Sequence, residues 1–131
     1  MNTPISIGGA SGYWGEASHA TAQLLTADKL DFLVYDYLAE ITMSIMARAR
    51  TKDPQTGYAG DFVTAALAPN LEEIARRDVR VISNAGGVNP AACGEAVRAL
   101  VAEKGLTLKV AVITGDDLMN RIGEFAKTTE M

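Results

Sequence analysis

The chain has 131 residues, enough for one domain with a real core. Its 48% hydrophobic and 21% charged content is ordinary for a soluble globular protein, and a net charge of −4 leaves no basic footprint for nucleic acid. No apolar run approaches the roughly 20 residues of a membrane span and no basic-then-apolar leader opens the chain; a single cysteine excludes an internal disulfide and fits a reducing cytoplasm.

Residues 5–7 predict a short first strand, followed by the turn Gly8-Gly9-Ala10-Ser11-Gly12-Tyr13-Trp14-Gly15. A helix is expected from about residue 16 to 25, packing Ala17, Ala20 and Leu24 inward. Residues 31–37 (Asp-Phe-Leu-Val-Tyr-Asp-Tyr) form the clearest strand, an apolar run long enough to be covered on both faces. The next helix is expected over 38–50, with Leu38, Ile41, Ile45 and Ala49 at helical spacing and Arg48, Arg50 and Lys52 complementing its C-terminal dipole. Asp53-Pro54 and two glycines make 52–60 a loop. Helix resumes near Asp61 with Phe62, Ala65 and Ala66, and Pro69 either kinks it or starts a second short helix carrying Leu71, Ile74 and Ala75.

The organising unit lies at 80–90. Val79, Val81 and Ile82 are a β-branched run, Gly86 and Gly87 permit a tight turn, and Asn89-Pro90 is an N-cap followed by a favourable first helical residue. Cys93, Ala96, Val97, Leu100 and Val101 then form one apolar stripe, closed by Gly105. A fourth strand is expected over 108–113 (Leu-Lys-Val-Ala-Val-Ile), and a last helix after Asp117 with Leu118, Ile122 and Phe125 buried.

Strands alternating with amphipathic helices predict a single α/β domain over 1–131. Its mostly parallel sheet would have about four strands with flanking helices, a Rossmann-like three-layer sandwich; half of a β/α barrel has the same local pattern. Function then gathers where strand C-termini meet helix N-termini, in loops 8–16, 36–40, 84–90 and 114–117. Gly9, Gly12 and Gly15 recur every third residue, and Asp36 ends the second strand, close to a dinucleotide fingerprint. An acid at Asp36 disfavours a 2′-phosphate, and Glu16 would repel a bound phosphate; the plainer reading is a tight β-α turn. Asp36 and Glu40 straddle a helix start, where acids also belong for dipole reasons. Asn84 suits a ligand carbonyl or hydroxyl, and Asn89 suits a cap. Of Asp116 and Asp117, one caps the last helix and the other points at a crevice. His19, the only histidine, reads as a helix-surface residue, no zinc site assembles from this chain, and Cys93 reads as packed and inert. The expected ligand contacts are Gly9, Ser11, Gly12, Asn84, Gly86 and Gly87, with Asp36 and Asp116 as the groups that take a hydroxyl, a cation or a proton. On this reading, Gly87→Val abolishes binding and leaves the fold.

Five segments in register carry a more specific signal: the glycine-rich first turn; Leu30 through Glu40; Asp53-Pro54-Gln55-Thr56-Gly57-Tyr58; Val81 through Pro90; and Val112-Ile113-Thr114-Gly115-Asp116-Asp117. In that order and spacing they resemble the N-terminal part of the acyclic terpene utilisation protein A family, bacterial proteins named for a gene cluster that degrades citronellol and geraniol. The resemblance implies a cytoplasmic protein of isoprenoid or branched acyl catabolism, where intermediates are mostly coenzyme A thioesters, and it carries over no catalytic residue. Family members are longer, so the chain is expected to be a fragment, a short form or one subunit of a split protein, with an apolar face that favours a homo- or hetero-oligomer.

Three readings stand. The first is an enzyme, or part of one, binding a small polar or acyl-CoA-type ligand at the C-terminal edge of the sheet. The second is an NAD(P)-dependent reductase using Gly9-x-x-Gly12-x-x-Gly15. The third is a non-catalytic subunit organising a partner enzyme.

Overall fold

The computed structural model describes residues 4–10, 15 and 18–127. Three short strands, β1 (Ile7–Gly9), β2 (Phe32–Tyr35) and β3 (Arg80–Ser83), form an open, all-parallel sheet in the order β1-β2-β3. The register sets Gly8, Leu33 and Val81 in one row across the sheet and Gly9, Val34 and Ile82 in the next. The first strand lies two residues later than the apolar run predicts. Asp31 sets this: its carboxylate accepts the Ser6 amide at 2.7 Å, and its own amide bonds the Ser6 carbonyl, joining the chain just before both strands.

Because side chains alternate along a strand, each strand feeds two faces. Leu33, Tyr35 and Gly8 are buried on one face, where Leu24 and Leu30 lie against Gly8. The helices that follow the strands are α1 (Ala20–Leu24), α2 (Glu40–Lys52), a π-helix (Phe62–Leu67), α3 (Leu71–Arg76) and α4 (Pro90–Glu103). Leu71 and Ile74 of α3, Cys93, Leu100 and Val101 of α4, and Phe62, Val63, Ala66 and Leu67 of the π-helix join the same core. The other face is open. Ile7 is 64% and Ile82 55% exposed, Phe32 and Val34 are half-buried, and Arg80 lies over the Phe32 ring at 5.6 Å.

The structure departs from the sequence-based expectations in four further places. First, α1 begins at Ala20, after a turn at Ser18 and His19; residues 16 and 17, on which the earlier start falls, lie outside the described residues. Second, α2 starts two residues later than expected and turns Met46, not Ile41 and Ile45, to the interior. The Gly87 turn packs directly on the Met46 sulfur, and that contact fixes the helix's rotation. Third, 108–113 pairs with no strand among the described residues, so the sheet has three strands. This segment runs beside α4 instead: Arg98 donates to the Val110 carbonyl at 3.2 Å, and Gly94 leaves the space that Val112 occupies. β-branched composition equips a segment to pair but does not supply an edge to pair with. Fourth, the last turns, a 3-10 turn (Met119–Arg121) and α5 (Ile122–Phe125), bury nothing, and Leu118, Ile122 and Phe125 are exposed.

Pro69 does separate two helical segments, but the first is a π-helix, with the Ala68 amide reaching the Val63 carbonyl at 2.9 Å. In α4 the expected cap holds: Pro90 is the first helical residue, and the Asn89 side chain accepts from the Ala92 amide. None of the described helices is long and apolar enough to cross a membrane.

Where β2 ends, Tyr35, Tyr37 and Phe62 form an aromatic cluster. Tyr35 meets the edge of Phe62 at 5.3 Å, Tyr37 meets it at 5.9 Å, and the two tyrosines stack at 6.3 Å. The Tyr35 hydroxyl and the Thr21 hydroxyl bond at 2.8 Å inside the core, so each satisfies the other's polar atom. Tyr35→Phe leaves the Thr21 oxygen buried without a partner and is expected to cost about 1–3 kcal/mol. Adding Thr21→Val should recover most of that loss. A denaturant-midpoint cycle of the two single variants and the double variant checks this; additive losses would show that the pair is not the coupled unit described.

Candidate functional site

Parallel strands deliver their C-termini to one edge, and the candidate site is built there from the residues that follow β2 and β3. Asp36 and Asn84, 48 residues apart in sequence, meet with Asn84 Nδ2 donating to Asp36 Oδ1 at 2.6 Å. Asn84 Oδ1 accepts the Tyr37 amide at 2.8 Å, and Asp36 Oδ1 also accepts the Leu38 amide at 3.3 Å. One asparagine thus ties the ends of two strands while presenting a carboxylate to solvent. Both hydrogen bonds favour the charged form, so the Asp36 carboxyl is held below its usual value, Asn84 contributing most and the Leu38 amide next. Its second oxygen, Oδ2, accepts no hydrogen bond among the described residues.

A small cavity of about 30 Å³ is lined by Gly15, Ser18, Tyr37, Asp61, Ala65 and Ala66, none of them a member of the Asp36–Asn84 pair. Asp61 stands immediately before the π-helix, and its Oδ2 accepts the Gly15 amide at 2.8 Å. Its other oxygen, Oδ1, is buried and has no hydrogen-bond partner among the described residues. Tyr37 is buried too, and its phenol is pushed up by burial first, then by the neighbouring Asp61 carboxylate and by Tyr35. Sequence reasoning missed both residues. Tyr37 read as the last residue of a strand and Asp61 as the start of a helix. The available signal was an acid directly before an apolar segment that needed no further cap.

The other expected contacts divide. Gly9 is exposed at the end of β1, with open space where a Cβ would stand. Ser11 and Gly12 lie outside the described residues. Gly86 and Gly87 have a packing reason for being glycine: the turn is closed by Gly87 N to Asn84 O and Asn89 N to Gly86 O, at 3.1 and 2.8 Å. Gly87 has φ +52°, and a Cβ there would stand 2.3 Å from the Met46 sulfur and 2.9 Å from the Gly57 carbonyl. The turn is further fastened to the 54–59 loop. Asn89 Nδ2 donates to the Pro54 and Thr56 carbonyls, each at 2.8 Å, and Ala59 N bonds Ala85 O at 2.8 Å. Gly87→Val therefore acts on the fold as well as on any ligand.

Asp116 is exposed, and no hydrogen bond or ion pair joins it to Asp36 or Asn84. Its neighbour Asp117 accepts the Met119 amide at 3.0 Å and pairs with Arg50 at 3.2 Å, while Arg50 also holds the Val88 carbonyl. The N-caps of the last two turns are Leu118 and Arg121, neither with a side-chain cap, so the capping role expected of one of the two acids is not seen; Asp117 instead closes an i to i+2 turn ahead of them. Cys93 is buried on the α4 stripe, where burial pushes its thiol up to about 11, as suits a packed, unreactive sulfur. His19 is exposed in the turn before α1. No group of three or more metal-ligating side chains gathers among the described residues.

A family model described as acyclic terpene utilisation family protein AtuA matches residues 5–131. No curated protein and no solved structure matches the chain.

The Asp36–Asn84 contact has a direct titration signature. A depressed folded-state value means that this carboxylate's contribution to stability is complete above its ordinary 3.8 and is lost as pH falls through the folded value. In Asn84→Ala the Asp36 carboxyl should titrate closer to 3.8, measured from its carboxyl-carbon NMR shift against pH. An unmoved titration would mean that Asn84 does not hold the carboxylate in solution.

Proposed function

The chain belongs to the acyclic terpene utilisation family AtuA, and from that premise we propose that it serves acyclic terpene utilisation by binding a small polar or acyl-CoA-type ligand at the C-terminal edge of its sheet. The observation that carries this reading is the meeting of Asp36 and Asn84 at the tips of adjacent strands, with one carboxylate oxygen engaged and the other accepting no hydrogen bond among the described residues. Such a carboxylate is ionised at neutral pH and accepts a hydrogen bond from a ligand hydroxyl, amide or cation. Its lowered basicity suits positioning better than strong general-base work. Gly9, open at the end of β1, leaves room for a ligand backbone to lie close along the same edge.

A nicotinamide dinucleotide suits the edge less well. The Gly15 amide, which a pyrophosphate would need, already donates to the Asp61 carboxylate, and α1 starts at Ala20, not at the glycine turn. The subunit reading has its own support in the open face of the sheet, where Ile7, Phe32, Val34 and Ile82 form an apolar patch of the kind that partner surfaces cover. In this second reading the chain works as one part of a homo- or hetero-oligomer.

A thermal-shift series against coenzyme A thioesters, free coenzyme A and NAD(P)(H) separates these readings. A ligand at 100 times its dissociation constant adds about 2.7 kcal/mol, a shift of several degrees for a domain of this size. A thioester shift that is lost in Asp36→Asn and Asn84→Ala is the expected result. A nicotinamide shift, or a thioester shift indifferent to both variants, would reject the edge reading as stated. For the subunit reading, sedimentation should show an assembly larger than the monomer that Ile82→Glu dissociates.

A further inference from the structure

Helix α2 carries two faces suited to packing, and the fold covers one of them. Met46 is buried against the Gly87 turn, with Thr42, Met43 and Ala49 half-buried around it. Ile41, Ser44, Ile45, Arg48, Thr51 and Lys52 form the second face, at i, i+3, i+4, i+7, i+10 and i+11, the spacing of a stripe that lies along another helix. All six are exposed, Ile41 at 72% and Ile45 at 49%. Isoleucine is a poorer helix former than the straight-chain residues that suit a solvated face, so local propensity gives no reason for the pair to stand there. The charges of this helix are uncommitted as well. Glu40, Arg48 and Lys52 form no ion pair among the described residues.

What covers this stripe follows from how those charges are placed. Glu40 is the first residue of α2 and its sole acid, while Arg48, Arg50 and Lys52 all lie in its second half. Arg50 is engaged by the Val88 carbonyl and Asp117, which leaves Arg48 and Lys52. The helix is therefore acidic at one end and basic at the other, and it complements itself when reversed. We propose that a second copy of this chain covers the stripe, the two α2 helices packing antiparallel across a two-fold axis with Ile41 and Ile45 of both copies between them. In full overlap the first residue of each helix faces the last residue of the other. Glu40 of one copy then stands opposite Lys52 of the second, and symmetry makes the contact twice. A parallel pairing sets Glu40 against Glu40 and Lys52 against Lys52 and aligns the two helix dipoles, and each of these is repulsive. A partner helix of one charge sign leaves one end of α2 facing like charge. Ser44, the smallest side chain of the stripe, lets the two backbones come close. A helix face of 13 residues is about 20 Å long and by itself falls below a standard interface, so the association is weak and reversible.

This contact is independent of the ligand-binding edge and uses other residues than the open face of the sheet, and the test keeps it apart from both. The full chain is sedimented over roughly 10 μM to 1 mM, with the fold of each variant checked by circular dichroism. The expected result is an average mass that climbs towards twice that of the monomer across the series. Ile45→Glu changes an exposed side chain, so it should keep the fold and hold the chain monomeric throughout. Glu40→Lys should weaken association roughly ten-fold, since two ion pairs are lost and like charges take their place. Combining it with Lys52→Glu should restore association, because the exchanged charges again meet their opposites. That double variant sets both charges against the dipole of their own helix, so it should be the least stable fold of the series while pairing like the wild type. A local role for the charges gives no such rescue. If Glu40→Lys does not fold, Lys52→Glu loses the same pairs from the other end. The inference would be overturned by a mass that stays at the monomer's, by association indifferent to Ile45→Glu or to the single charge reversals, or by a charge exchange that restores nothing. Dissociation by Ile82→Glu alone would keep the open-face contact and remove this one; dissociation by Ile45→Glu alone would do the reverse.

Discussion

Three aromatic rings meet where the middle strand leaves the sheet, and the arrangement of the molecule depends on that meeting. Tyr35 still belongs to β2, Tyr37 is already beyond it, and Phe62 arrives from a helix that begins only after residues 36–61 have passed to its side of the sheet. Edge-to-face packing of both tyrosines on Phe62 fixes the π-helix relative to the strand. It therefore also fixes Asp61, the residue before Phe62, relative to Tyr37. The same rings anchor α1, since Tyr35 reaches Thr21 through their shared hydrogen bond. A hydrophobic contact thus determines where a carboxylate and a phenol stand.

A second fastening works through the backbone. The Asn84–Asn89 turn is bound on one side to β2 through Asn84 and on the other to the 54–59 loop through Asn89 and Ala59. Arg50, from the last turns of α2, closes the arrangement by holding the Val88 carbonyl and Asp117 together. The turn of the organising unit, expected to hold ligand contacts, is consequently a junction of four chain segments. Its glycines are there because those segments approach closely, while the asparagines at its ends carry the polar connections outward to the edge.

The sheet of this acyclic terpene utilisation family member is finished on one side only. Its inner face collects α1, the π-helix, α3 and α4, while the outer face presents Ile7 and Ile82 to solvent. The segment after α4 has a similar character: Ile113 is 91% exposed, and the final turns bury none of their apolar side chains. Apolar surface of this kind lowers free energy when it leaves water. The open face and the C-terminal segment are accordingly the parts of the chain whose local sequence calls for more contact than the fold supplies.

By itself the sequence determined the parallel α/β character, the Asn89-Pro90 start of α4 and its buried stripe. It also determined the strand ends at which Asp36 and Asn84 stand. Each of these is written in local periodicity or in capping chemistry, which depend on neighbours a few residues away. Only the tertiary structure decided that 108–113 lies along α4 and not in the sheet, that Met46 and not Ile41 faces inward, and that Gly87 is held by packing. It alone decided that Tyr37 and Asp61 share a cavity. The physical reason is common to all four. A strand needs an edge, a helix needs a surface to set its rotation, and an unpaired carboxylate becomes visible only when the groups around it are known; none of these partners lies within reach of a local pattern.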